Sequence, residues 1–449
     1  MKSTFFVRLI FIRSISTRSI FIRLIPAWLI CLALLASCTP TPTGNVLGYL
    51  LAKQLGQLTP APPDGPRGAL TGLVMGEGAP LAGASVVVAE RTGRPHAALS
   101  GADGRYRIEG IPPGQYAVAA VAPGFAEQVV SNLFGMPDLV TITASQTTDA
   151  GVLQLTPLAP VPLPQPWPAS AHLQLTASGV LTAPFPAGSV ATVQAYSFVR
   201  EGVLVDTLRL YLPVGATTDC LPMLLMVYPT AVDLWETVSV AFAAQGFGVV
   251  AISPAAARGT DIAAHAEDAR WALLLAQSGA LSPQIKGGKP VALGGSFSSA
   301  ILYQLVRRSG DAIAAWVTLG GVSDAFAGAE AFYRGELEIP PQYEYLIPAL
   351  GMPNLYPLLF LRYSPLYAAA ELPPTLIIHT AADRVIPIEQ AYRLEAALRT
   401  AGVPVEVYYY DDVSHYLQID ERMSDAGREM FDRTLDYARR MRKGACESG

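Results

Sequence analysis

Residues 290–300 read PVALGGSFSSA. An apolar run, Val291-Ala292-Leu293, enters Gly294-Gly295-Ser296-Phe297, and the following SSAILYQLVRR has the apolar spacing of a helix. The stretch therefore reads as strand, tight turn, helix, with Ser296 at the junction. Gly294 permits a close approach two residues before the serine. Two residues after it stands Ser298, where a glycine would complete the pattern G-x-S-x-G. That position must stay small, because the start of the helix packs back on the strand, and a serine adds one hydroxymethyl group. Ser298 and Ser299 read as helix-capping or packing residues.

Working outward, VQAYSFV, LRLYLPV, MLLMVYP, GVVAIS, AAWVTLG, TLIIHT and VEVYYY are further strand candidates. Helical stretches at 233–245, 261–278, 297–308, 388–401 and 420–441 alternate with most of them. Apolar strands alternating with helices predict a mainly parallel sheet covered on both faces, with two antiparallel strands leading in. TLIIHT ends in a loop holding Asp383, and VEVYYY ends in a loop holding His415. Each candidate follows the carboxyl end of a strand, where open α/β sheets build their sites. The order Ser296, Asp383, His415 is that of a nucleophile, an acid and a base. His415 would take the serine proton and return it to a leaving group, and Asp383 would fix the imidazole tautomer. Asp324, after VTLGG, is a rival acid.

PPTLIIHTAADRVIPIEQAYRL and VPVEVYYYDDVSH resemble the H-G-x-x-D-x-x-V-P … H region of the dienelactone hydrolase, prolyl oligopeptidase-like and related esterase groups. Thr380 stands for the usual glycine and Ile386 for the valine. The resemblance covers roughly 190–440 and implies an α/β hydrolase fold and a serine hydrolase with no metal or organic cofactor. The Phe297 amide is expected as one oxyanion donor. The second would come from the loop after MLLMVYP, which reads Tyr228-Pro229-Thr230. Proline has no N–H, so Thr230 is the candidate, with the Tyr228 hydroxyl as the alternative. The segment 321–372, rich in Tyr, Phe and Pro, is expected to cap the site. His265, beside Glu267 and Asp268, reads as part of a solvated helix face.

Toward the N-terminus, LTGLVM, ASVVVAE, RYRIEG, QYAVAAVA and LVTITA alternate with turn residues, which predicts a small all-β sandwich over 69–156. GLVMGEGAPLAGASVVV and GADGRYRIEGIPPGQYAVAAVAPGF resemble the carboxypeptidase regulatory-like (transthyretin-like) domain, a non-catalytic module. No H-E-x-x-H or H-x-x-E occurs in the chain, so that resemblance implies no zinc site. The remaining boundaries are a tether at 38–68, a proline-rich linker at 157–190 (PLAPVPLPQPWP within it) and the catalytic domain at 191–442.

Residues 1–37 carry Lys2, Arg8, Arg13, Arg18 and Arg23 as their only charges and end in the apolar run AWLICLALLAS. This is the composition of a secretory signal. Leu35-Ala36-Ser37-Cys38 resembles the lipobox of bacterial lipoproteins, which implies lipidation at Cys38 and an extracytoplasmic, envelope-anchored protein. Removal of five positive charges would take the formal charge from −5 to −10, which disfavours nucleic acid as a partner. Cys220 and Cys446 would remain as a candidate disulfide pair. The expected substrate is a small ester or amide, with an ester favoured. A prolyl oligopeptidase-like peptidase and an inactive binding or scaffold lipoprotein are the rivals.

Overall fold

The computed structural model describes residues 42–54, 65–132, 136–158, 172–216, 220–415 and 423–442. The signal segment, Cys38 and the PLPQPWP run lie outside the described residues.

The C-terminal half is built on one nine-stranded sheet. Its strands are β11 (Gln174–Ala183), β12 (Ser189–Arg200), β13 (Val203–Pro213), β14 (Met223–Val227), β15 (Gly248–Ile252), β16 (Val291–Ser296), β17 (Ala315–Gly321), β18 (Thr375–Thr380) and β19 (Val405–Tyr410). The spatial order is β11-β12-β13-β15-β14-β16-β17-β18-β19. The first three strands and β15 pair antiparallel, and β15 to β19 are parallel. Alternate residues of the central strands serve two cores. Leu225, Val250, Ala292, Trp316 and Ile377 face one. Leu224, Val249, Val291, Val317 and Leu376 face the other. Helices α3 (Ile262–Ser278), α4 (Ser298–Ser309) and α8 (Glu389–Thr400) cover the first face. Helices α2 (Glu236–Ala244) and α9 (Asp425–Met441) cover the second. This is the α/β hydrolase fold.

Three antiparallel strands, not two, lead into the sheet. The extra one, β11, lies inside the segment 157–190 read as linker. As an edge strand it exposes most of its residues, so it needs no apolar face and gives little periodic signal.

The segment 38–68 likewise differs from a plain tether, because Pro42–Gln54 forms helix α1. Pro42 fits a first helical turn, and Leu, Ala, Lys and Gln carry the rest. The segment 321–372 folds into short helices α5 (Ala325–Arg334), α6 (Leu346–Ala349) and α7 (Pro357–Leu361). Helix α1 packs on α6, where Asn45 Nδ2 donates to the Ala349 carbonyl at 2.9 Å. Its Tyr49 meets the rings of Phe332 and Tyr333.

The N-terminal half is a sandwich. One sheet joins β1 (Gly68–Gly76) to β2 (Ala79–Pro80), β5 (Arg105–Ile111) and β10 (Thr147–Leu155). The other joins β4 (Pro95–Leu99), β3 (Ser85–Ala89), β7 (Ala119–Ala122) and β8 (Phe125–Val129), and β6 (Gly114–Ala117) pairs with β9 (Leu139–Ile142). Strand β3 is buried on both faces: Val86 and Val88 enter the sandwich core, whereas Val87 and Ala89 join the core of the C-terminal half. Polar groups fix this docking. Arg307 of α4 is bonded to Glu127, Glu371 and the Phe125 carbonyl, and Gln304 Nε2 donates to Glu127 at 2.8 Å. The sandwich is thus fused to the C-terminal half by a shared core and a buried ionic cluster.

Cys220 is disulfide-bonded, and its partner lies outside the described residues. No helix among the described residues is long and apolar enough to cross a membrane.

Candidate active site

Strand β16 ends on Ser296, whose φ is +51°, a left-handed backbone that a residue with a Cβ rarely adopts. The sharp reversal lets α4 begin two residues later and leaves the serine at the edge of a cavity. Gly295 is required beside it, because a Cβ there would lie 2.0 Å from the Leu319 carbonyl oxygen of the neighbouring strand. Ser298 and Ser299 are fully buried. Ser298 Oγ accepts from the Gly295 amide at 3.0 Å and donates to its carbonyl at 2.8 Å, and Ser299 Oγ bonds Thr318 Oγ1 at 2.9 Å. Both brace the turn.

The three residues selected from the sequence meet in space. His415 Nε2 is 3.1 Å from Ser296 Oγ, and His415 Nδ1 is 2.7 Å from Asp383 Oδ2. A carboxylate only accepts, so Nδ1 carries the proton and Nε2 is the acceptor facing the serine. The other oxygen of Asp383 accepts from the Val385 and Ile386 amides, each at 2.8 Å. Asp383 is buried, so these bonds hold its carboxylate in a single orientation. Gly320 (φ +53°) packs against the pair; a Cβ there would stand 3.3 Å from Asp383 Oδ2.

Two positioning residues escaped the sequence reading. His379, at the end of β18, is buried, and its Nε2 donates to the Ile386 carbonyl at 2.8 Å, closing the loop that carries Asp383. Burial lowers its pKa, so it stays neutral beside the acid. Its only sequence signal was its place in HTAAD, four residues before the acid. Trp235 Nε1 donates to Thr230 Oγ1 at 2.9 Å and fixes the loop that was expected to supply the second oxyanion donor. Among the described residues, neither the Thr230 nor the Phe297 amide donates to a backbone carbonyl. Tyr228 is placed differently from its alternative role. Its ring stacks on Trp235 and its buried hydroxyl is engaged by Ser239 Oγ at 2.8 Å and Met226 Sδ at 3.0 Å.

Asp324 does not approach His415. It caps α5, accepting from the Phe326 and Ala327 amides, and pairs with Arg393 at 3.2 Å. The solvated face expected for α3 is also corrected. Arg200 and Arg258 close over it and pair with buried Asp268. His265 is buried, its Nε2 donates to the Gly259 carbonyl at 2.9 Å, and its ring stands edge-on to Phe297. A solvated face and a face covered by a distant hairpin have the same local sequence.

Above Ser296 lies a cavity of about 910 Å³. The segment 321–372 supplies much of its wall, including Leu337, Ile339, Tyr343, Leu346, Ile347 and Phe360, and Met423, Met430 and Phe431 add to it. No Asp, Glu, Lys or Arg among the described residues lines it. No cluster of three His, Cys, Asp or Glu that would hold a metal occurs among the described residues.

Residues 69–156 match the carboxypeptidase regulatory-like domain family, and residues 343–443 match the prolyl oligopeptidase family. No curated protein matches the chain. Solved structures with a similar fold include an acylaminoacyl peptidase from Pyrococcus horikoshii, at 16% identity and a TM-score of 0.45. That alignment covers 58% of this chain and 43% of the longer peptidase, so this chain spans less than half of it. Carboxyl esterase 2 from Tuber melanosporum aligns over 62% of this chain and 94% of its own, at 16% identity and TM-score 0.47. An S-formylglutathione hydrolase from Agrobacterium tumefaciens aligns over 60% and 99%, at 13% identity and TM-score 0.42. The α/β hydrolase sheet and the matched C-terminal segment describe a serine hydrolase.

Proposed function

We propose that the protein is a carboxylesterase that works through an acyl-enzyme on Ser296 and is held to the outer side of a bacterial membrane by acyl chains on Cys38. The observation that carries the catalytic reading is the hydrogen-bonded line Asp383–His415–Ser296 opening into a cavity that no charged side chain of the described residues lines. His415 Nε2 takes the proton as Ser296 Oγ attacks the carbonyl carbon of the ester, and His415 Nδ1–H remains bonded to Asp383, which stabilises the imidazolium. The carbonyl oxygen becomes an oxyanion received by the Phe297 and Thr230 amides. Collapse expels the alcohol, protonated by His415. Water activated by the same base then releases the acid and regenerates Ser296 Oγ–H.

The apolar wall favours an ester over a peptide. A peptidase holding an extended chain with a charged terminus requires placed charges or strand-like pairing; an acyl or aryl group needs apolar walls and a few polar tips. The anchored, extracytoplasmic location rests on the basic and apolar N-terminal segment ending in Leu35-Ala36-Ser37-Cys38. The prolyl oligopeptidase match keeps a peptidase as the second reading.

Fluorophosphonate labelling of the full chain, abolished by Ser296→Ala, tests for an active serine; absence of labelling would leave an inactive scaffold. On the labelled protein, kcat/KM should be higher for short-acyl aryl esters than for aminoacyl anilides of similar size, after allowance for intrinsic reactivity. Equal or faster anilide turnover would establish the peptidase reading instead.

A further inference from the structure

Helix α1 packs through Asn45, Tyr49 and Ala52 against α5 and α6. The opposite face carries Leu47, Leu50 and Leu51, spaced i, i+3, i+4, which are 53%, 48% and 53% exposed. The helix has no acidic residue, and Lys53 is its only charge. An outward row of leucines on a short helix is an exposed apolar face that the described residues leave uncovered.

What lies next to it identifies the occupant. Tyr345 precedes α6, the helix on which α1 packs, and it also lines the cavity above Ser296 while 52% exposed. Tyr343 and Leu234 line the same cavity at 36% and 75% exposure. Tyr343, Tyr345 and Leu234 thus give the cavity rim exposed apolar surface, beside the exposed carboxylates of Glu344 and Asp233. Cys38 is four residues before Pro42, so even a fully extended chain separates them by no more than about 14 Å. An acylated Cys38 would hold α1 at the bilayer surface, within reach of the depth at which interfacial helices bury an apolar face.

We propose that the Leu47–Leu50–Leu51 face and the rim at Tyr343 and Tyr345 rest in the interfacial layer of a lipid bilayer, so that the cavity draws apolar ester substrates from the lipid phase. The placement of α1 draws on the lipoprotein reading, whereas the leucine face makes its own contact. With formal charge −10 for the chain without its signal segment, attraction to anionic lipid is not the source of this contact. The contact is apolar and should persist in zwitterionic vesicles and at high salt.

The test compares the full chain with a Leu47→Ser/Leu50→Ser/Leu51→Ser variant in phosphatidylcholine vesicles doped with p-nitrophenyl palmitate. Soluble p-nitrophenyl acetate serves as the control for folding and the triad. The variant should hydrolyse the vesicle-borne ester at least about tenfold more slowly and the acetate at the same rate. Flotation of a Cys38→Ser chain should still detect salt-insensitive vesicle binding, and adding the three leucine substitutions to that chain should abolish it. The mass of the Cys38 peptide decides the lipoprotein reading separately: without acylation, leucine-dependent hydrolysis and flotation would still uphold the proposal. Equal palmitate rates in the two proteins overturn it. A shift from dimer to monomer in the variant, with unchanged vesicle hydrolysis, would assign the leucine face to a second copy of the chain and also overturn it. If the protein hydrolyses neither ester, the esterase reading fails, and flotation alone decides whether the leucine face meets the bilayer.

Discussion

Helix α4 has two chemically loaded ends. At its N-terminus stands Ser296 with a strained backbone, a single hydrogen-bonded base and an open cavity in front of it. Near its C-terminus the Arg307 side chain is fully buried, satisfied by two carboxylates and two backbone carbonyls. The first end keeps a polar group underused, which is what a reagent needs. The second satisfies its charges completely, which is what a permanent joint needs. Charge in the interior costs free energy unless it is paired, so the two arrangements should answer differently to deletion. One should lose chemistry without stability, and the other stability before chemistry.

Ser296→Ala gives the largest expected effect. It should lower kcat on a p-nitrophenyl ester by about 10⁴–10⁶ and leave the unfolding free energy within about 0.5 kcal/mol. A large loss of stability would mean that Ser296 is part of the framework and would erase the contrast. Arg307→Ala should do the reverse. Glu127 would stay buried and Glu371 part-buried without that cation, costing about 3–5 kcal/mol in denaturant unfolding, with ester turnover retained by the folded fraction.

The joint also has a pH signature. Burial alone would raise the pKa of Glu127, but Arg307, with the Gln304 hydrogen bond and Arg308, outweighs it and holds the pKa below the ordinary value of 4.5. A carboxyl with a lowered folded pKa contributes stability above its unfolded pKa and loses it as pH falls through the folded one. Wild type should therefore exceed Glu127→Gln by about 1–3 kcal/mol near neutrality, and the gap should narrow below about pH 4.5. A gap that is constant with pH would show that Glu127 acts through shape rather than charge.

The two ends also differ in how far the sequence disclosed them. Ser296, Asp383 and His415 each follow a strand whose apolar run is visible locally, and the parallel sheet brings such strand ends together. The ionic joint depends on Glu127 and Arg307, which belong to separate halves of the chain, and no local pattern couples them. One signal was present and unused. SVVVA and AAVA are unbroken apolar runs, whereas a sandwich with one wet face alternates; unbroken runs mean burial on both sides. They marked the docking of the β-sandwich onto the C-terminal half. Helix α1 was obscured by the Pro- and Thr-rich residues flanking it. The burial of His265 and Asp268 was hidden because Arg200, which covers them, lies on a distant hairpin.

The smallest effect is expected between these extremes, at the departure from G-x-S-x-G. Ser298 is fully buried, and its hydroxyl holds both polar groups of Gly295, the residue before Ser296. It makes no bond to His415 or to Ser296 Oγ. Ser298→Gly restores the commoner motif and removes two hydrogen bonds, so it should cost about 1–2 kcal/mol of stability. Catalysis should change far less, because the φ of Ser296 is also imposed by Gly295 packed on Leu319, a contact that the substitution leaves in place. We expect kcat within about fivefold of wild type, under ~1 kcal/mol of barrier, measured alongside Ser296→Ala on the same ester. Ser298→Ala should behave likewise. If it is as inactive as Ser296→Ala, the nucleophile is misassigned.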